Sequence, residues 1–428
     1  MDRRSAGSRM LSSLAIAVLL AGCSASATPT PAPATAMPTP LPTVATPTLA
    51  PTPTPTPPPA TPMPTPLPTV ATPTLAPTPT SSPGMAAARL GHTATQLADG
   101  RVLMVAGYDG TAALASAEIF DPTTGTFTTT GSLPTAAAFH TATLLSDGRV
   151  LVAGGTTDMG VTAFVSAQIY DPKTGTFSAT GSMTTPRVQF TATLLTDGRV
   201  LIAGGCGPGT VFNASAELYD PKTGAFTTTG SMSIARCGAS AALLSDGRVL
   251  IAGGSPDGTY GLASAELYDP KTGAFSPTGS MTTISGSATM TLLADGRVLV
   301  AGACYLVVPS AELYDPKTGT FTETGSMTTP RCGQTATLLP DGRVLIAGGF
   351  SDASGPSLAS AELYDPKTGT FSATGSMTAL RSVHTATLLP DGRVLVAGGD
   401  DGGWISGNFL ASAELYDPKT GTFSPTGP

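Results

Sequence analysis

The tetrapeptide Asp-Gly-Arg-Val begins at Asp99, Asp147, Asp197, Asp246, Asp295, Asp341 and Asp391, in steps of 48, 50, 49, 49, 46 and 50 residues. A period of this length constrains the fold more than any single residue does. Each unit must be one supersecondary module that hides its apolar face against its neighbours. One unit reads HTATLLSDGRVLVAGG, then a stretch that changes from copy to copy, then SAELYDPKTGTF and a TGSM-like link. The octet YDPKTGTF stands unchanged at Tyr170, Tyr314, Tyr364 and Tyr416, and slightly altered at Phe120, Tyr219 and Tyr268.

Each unit holds four short strand candidates. HTATLL and RVLVAG are joined by Asp-Gly, which predicts a two-residue hairpin loop with positive φ. SAELY and GTFSAT are joined by DPKTG, where proline presets the first corner and glycine takes the left-handed position. Four antiparallel strands repeated every 45–50 residues describe the blade of a β-propeller, and seven copies predict seven blades. The fold class is therefore all-β.

At this point the chain resembles the kelch family. Gly-Gly ends the second strand at Gly154-Gly155, Gly204-Gly205, Gly253-Gly254, Gly348-Gly349 and Gly398-Gly399, an aromatic ends the third, and another stands in the fourth. Phe replaces the usual kelch Trp throughout, and Tyr108 and Ala303 read as stand-ins for the second glycine in blades one and five. The resemblance covers residues 85–428 and implies a seven-bladed kelch-type propeller. All seven blades read as complete and in phase, which predicts a seam held by face packing alone.

The segments ahead of the repeats have other jobs. Arg3, Arg4 and Arg9 precede an apolar run from Leu11 to Ala21, about half the length of a membrane span. Leu20-Ala21-Gly22-Cys23 resembles the lipobox of bacterial lipoproteins. That resemblance implies a signal peptide over 1–22, acylation of Cys23 and attachment to the membrane through lipid only, outside the cytoplasm. From Ser24 to Ala88 no residue is charged, and Pro and Thr alternate. Residues 23–84 therefore read as a disordered stalk with polyproline II preference and a reach of up to about 180 Å.

The charges exclude one class of partner. With only 11% charged residues, a net charge of −7 and a pI near 4.9, the chain lacks the basic footprint of a nucleic-acid binder. They also separate the two rims of the ring. The DGR and DPKTG turns fall on one rim and are nearly identical in every blade. The stretch after Gly-Gly and the link into the next blade fall on the other. That variable rim collects aromatics and acids, with Tyr108, Asp109, Phe212, Asp257, Tyr260, Tyr305, Phe350, Asp352, Asp400, Asp401, Trp404 and Phe409 as candidate ligand contacts. Aromatics beside carboxylates suit a glycan, by stacking and hydrogen bonding, and also a protein partner.

Motifs for chemistry are weaker. His92, His140 and His384 share one repeat position in neighbouring blades, but blade side chains there face the adjacent blade, so no metal ligand set is assigned. No constellation matches the galactose-oxidase-like or sialic-acid mutarotase-like enzymes of the kelch class, and no cofactor is expected. The reading is a non-catalytic, lipid-anchored binding module for a glycan or a surface protein, with an extracellular carbohydrate enzyme as the alternative.

The cysteines give the sharpest expectation. Cys206 and Cys304 occupy one place after strand two, and Cys237 and Cys332 each follow the arginine that leads into the next blade. Two pairs with the same blade-to-blade offset predict the disulfides Cys206–Cys237 and Cys304–Cys332.

Overall fold

A computed structural model describes residues 81–158, 162–283, 285–304, 308–351, 356–402 and 408–427. They form seven antiparallel sheets arranged as blades, numbered here in chain order. Blade 1 runs Thr93–Gln96, Val102–Val105, Ala117–Asp121 and Thr126–Thr129. Blade 7 runs Thr385–Leu388, Val394–Ala397, Ala413–Asp417 and Thr422–Pro425, and the five between repeat the same order.

The pattern within a blade follows from where each strand lies. The first strands of successive blades pack side by side around the centre, and the contact between blades 7 and 1 matches the others. The second strand is buried at all four positions, as in VLVA of Val150–Ala153, because both of its faces meet neighbouring blades. The fourth strand is the outer edge, and only its phenylalanine turns inward, as in TFSA of Thr176–Ala179. Each of seven apolar clusters joins two adjacent blades, so the core is a set of interfaces and not one centre.

The octet is explained by these interfaces. Tyr170 sits opposite Phe177 across the hairpin, with ring centroids 4.9 Å apart. The Tyr170 hydroxyl lies 2.8 Å from Thr130 Oγ1 of the preceding blade. The same tyrosine–threonine bond recurs at five more interfaces. Within the turn, Asp171 Oδ1 accepts the Lys173 N–H, and Gly175 takes φ +68°. The opposite turn differs from expectation. Leu195 N–H donates to Arg199 O, so Thr196-Asp197-Gly198 is a three-residue loop with Gly198 at φ +87°. The left-handed residue supplies the twist that a two-residue loop would need at both corners.

The seam corrects the sequence reading. Ser81–Ser82 forms a fifth strand on blade 1, with Ser82 paired to Phe127. Pro83-Gly84-Met85 then fills the place that the TGSM link fills elsewhere. Met85 N–H donates to Ala411 O as Met377 N–H donates to Ala359 O, and Met85 joins the cluster between blades 7 and 1. Thr426 at the other terminus donates its hydroxyl to Pro83 O, where Phe120 offers no phenol oxygen. The seam is thus held by backbone bonds and an overlap of the two ends of the propeller, Ser81–Met85 and Thr426.

A second correction concerns the glycine pair of blade 1. The register sets Val105 opposite Thr93 as Ala153 is set opposite Thr141, so Ala106, not Tyr108, occupies a glycine position. Ala106 accordingly adopts φ +54°.

Candidate binding face

The constant rim is charged but self-paired. Arg149 meets Asp147 at 2.6 Å and reaches the Pro221 carbonyl of the next blade at 3.3 Å. Equivalent pairs close every DGR turn. Open clefts of about 430, 730, 480 and 550 Å³ recur between neighbouring DGR turns and a DPK turn. These openings lie opposite the rim that the sequence singles out. Their walls repeat from blade to blade and are made of charges already satisfied by one another. Apolar surface is exposed elsewhere: Val165, Val211, Ile234, Tyr260 and Leu380 are the exposed large hydrophobic side chains among the described residues, and all lie on the variable rim. We place the candidate face there.

Arginines do not contribute to that face. Arg187 is 0% exposed and donates to Gly204 O, Ser215 O, Ser215 Oγ and Glu217 Oε1 at 2.7, 2.9, 2.8 and 3.1 Å. Arg89, Arg236, Arg331 and Arg381 make the same lock with Glu118, Glu266, Glu362 and Glu414. Burial pushes the Arg187 guanidinium down and Glu217 pulls it back up, and it stays charged. Two blades depart. In blade 5 Ser285 stands in the arginine's place, and Glu312 accepts Thr282 N–H, Thr282 Oγ1–H and Thr283 N–H. In blade 2 the whole set is neutral: Ala137 for arginine, Gln168 for glutamate, and Pro134 for the N–H donor. A residual cavity of about 20 Å³ remains there, lined also by Phe164, Gly154 and Ser166.

The central mouth on this rim is built from backbone. Gly91, Phe139, Gln189, Gly238, Ser287, Gly333 and Val383 all have φ between +52° and +67°. Phe139 N–H donates to Gly91 O, Gln189 to Phe139, Gly238 to Gln189, Ser287 to Gly238 and Val383 to Gly333, linking blade to blade. Four of these positions are not glycine, and Val383 is β-branched, so the ring holds real backbone strain.

The structure divides the sequence-derived candidates. Phe350 and Asp400 are 1% and 0% exposed, which withdraws them from contact with a ligand. Both directly follow the glycine pair, where the chain bridges back to the residue after the arginine, Cys332 and Ser382. Phe212 packs on the Val188–Cys206–Cys237 cluster and remains half-exposed. Tyr108 and Phe409 meet edge-to-face across the seam, 6.0 Å between centroids. Tyr260 is 51% exposed. Asp109, Asp257 and Asp401 sit on the rim but first cap their own turns, at Thr111 and Ala112, Thr259, and Asn408. The Ala112 N–H and the Thr111 hydroxyl hold Asp109 below the ordinary carboxylate value. Tyr305, Asp352, Trp404 and Cys23 lie outside the described residues. Phe139, Val165, Val211, Ile234 and Leu380 were not among the sequence candidates. Phe139 breaks the pattern of its repeat slot and was legible, whereas isolated aliphatics read as core.

The cysteines pair as the repeat offset predicts. Cys206–Cys237 and Cys304–Cys332 are disulfides with Cα separations of 5.2 and 4.8 Å, each tying one blade to the next beneath the variable rim. The histidines do not form a ligand set. His92, His140 and His384 each bond a threonine of a neighbouring blade: Thr385, Thr93 and Thr335.

Seven four-stranded blades closed into a ring with one variable rim define a β-propeller. Residues 331–378 and 381–428 match the Kelch motif family. The same turns, aromatic pairs and interface bonds recur in the remaining blades, and together with the family match they support a kelch-repeat propeller protein. Among solved structures it is similar to a fungal alcohol oxidase of the AA5 family, described as showing catalytic diversity and solved in complex with copper. The identity is 22% and the TM-score 0.57, with 68% of this chain and 65% of that one covered. The chain thus spans just under two thirds of that protein's length, and the likeness is one of fold. A comparison with curated proteins gave no match. Among the described residues, no group of three or more His, Cys, Asp or Glu side chains stands close enough together to hold a metal ion.

Proposed function

We propose that this protein is a non-catalytic binding module that recognises a glycan or a protein through the variable rim of its propeller. One observation carries the reading: the exposed large apolar side chains among the described residues all stand on that rim, while the constant rim spends its charges on itself. A rigid ring bearing loops of differing length is a scaffold suited to recognition. The disulfides fit an oxidising compartment. With the lipobox-like Cys23 and the Pro/Thr stalk they support a surface-anchored protein, outside the cytoplasm and held by lipid.

The test is capture by the full chain on arrays of glycans and of surface proteins, with Tyr260→Ala in parallel. Truncating an exposed anchor should weaken binding by about 1 kcal/mol or more and leave the melting temperature unchanged. Turnover of a carbohydrate by the metal-loaded protein would instead favour an enzyme.

A further inference from the structure

The variable rim carries no exposed cation. All 18 basic residues of the repeats are placed: seven in DGR turns, six in DPKTG turns, and five arginines buried beneath the rim. The acids are distributed differently. On the constant rim aspartates are offset by arginines and lysines, whereas Asp109, Asp158, Asp257 and Asp401 stand on the variable rim, which also bears the exposed Val211, Ile234 and Tyr260. The Ala112 N–H and the Thr111 hydroxyl hold Asp109 below the usual carboxylate range. Partial burial pushes Asp158 and Asp257 up, but the Thr162 and Thr259 N–H groups outweigh it and hold both below the usual range. The rim is therefore anionic and apolar at once, with no compensating charge of its own.

We infer that the occupant of the variable rim is a basic protein segment, with lysine or arginine side chains interspersed among apolar ones. This rests on the binding role proposed above and narrows it. Sign complementarity selects a cationic partner and speeds its capture. The apolar contacts select protein over sugar: Val165, Val211, Ile234 and Leu380 are aliphatic, and Tyr260 is the one aromatic among the exposed large hydrophobics of the described residues. Sugars stack on aromatic faces, whereas branched aliphatic side chains pack against their own kind. The Cys206–Cys237 bond fixes the spacing of blades 3 and 4, which carry Val211, Ile234 and Tyr260.

The experiment uses the full chain against three immobilised probes: a helical Lys/Leu peptide, its Glu/Leu counterpart, and a panel of neutral glycans. The Lys/Leu peptide should be retained, with affinity falling about tenfold or more between low and moderate salt. The quadruple variant Asp109→Asn, Asp158→Asn, Asp257→Asn, Asp401→Asn keeps each side-chain acceptor and removes the charge, and should lose a similar factor. Val211→Ser with Tyr260→Ala should weaken the same peptide at unchanged charge, separating a docking site from bulk attraction. Salt-insensitive retention of a glycan, abolished by Tyr260→Ala, overturns this inference and leaves the binding role intact. Full peptide affinity in the quadruple variant also overturns it. Retention of none of the probes overturns both readings.

Discussion

Three buried histidines contribute to the acid sensitivity of the ring. Burial holds His92 and His384 down to about 3 and His140 to about 4, with Arg89 and Arg381 adding to the first two. Each is neutral in the fold, while the unfolded chain takes up a proton near pH 6.5. The stability they support is therefore complete above that value and is lost as pH falls toward 4. The slope approaches about 1.4 kcal/mol per pH unit for each histidine. Glutamine already serves at the same repeat position in blade 6, as Gln334. Replacing all three by Gln should flatten the fall in melting temperature between pH 7 and 4.5, and an unchanged fall would sink the idea. The histidine position was readable from its recurrence, and so were the cysteine pairs. Phe350 and Asp400 were not, because their burial depends on a two-residue bridge that no local residue announces. Val211 and Ile234 were hidden for the opposite reason: a β-branched residue in a strand-rich chain looks like core.

At the scale of the blade, the arginine–glutamate lock offers a natural comparison. Removing one member of a buried pair costs about 3–5 kcal/mol, because the other charge is stranded. Blade 2 shows the alternative, in which Ala137, Gln168 and Pro134 remove both charges and a donor together, and Phe164 takes up much of the space. Arg187→Ala in blade 3 should therefore lose about 3 kcal/mol or more, and adding Glu217→Gln should recover part of it. Strict additivity of the two in calorimetry would contradict the account. The disulfides act at the same scale. They span 31 and 28 residues, and the chain-entropy model assigns such loops about 3–4 kcal/mol each. Reduction should lower the melting temperature, and unreduced protein should titrate none of these four thiols.

For the whole ring, closure depends on a link borrowed from the N-terminus. Met85 is 4% exposed and occupies the seam as Met377 occupies an ordinary junction. Met85→Ala should cost about 2–4 kcal/mol, much as Met377→Ala does, and should speed proteolysis at both chain ends. A silent Met85→Ala would mean that the seam closes without it. The octet and the period made the blades legible in advance, because every copy reports the same environment. The seam was not legible, since Ser81–Met85 matches the link only in its methionine and in its spacing to Arg89.

The near-identity of the blades leaves the chain little means of telling one junction from another. The cores between blades are built from the same valines, leucines and tyrosines, so a blade docked beside the wrong neighbour, or beside a blade of another molecule, loses few contacts. What breaks this degeneracy is the short roll of unique residues: two cysteine pairs, the neutral second blade and the overlapping ends. The disulfides thereby act as an address as well as a clamp, recording which blade belongs next to which.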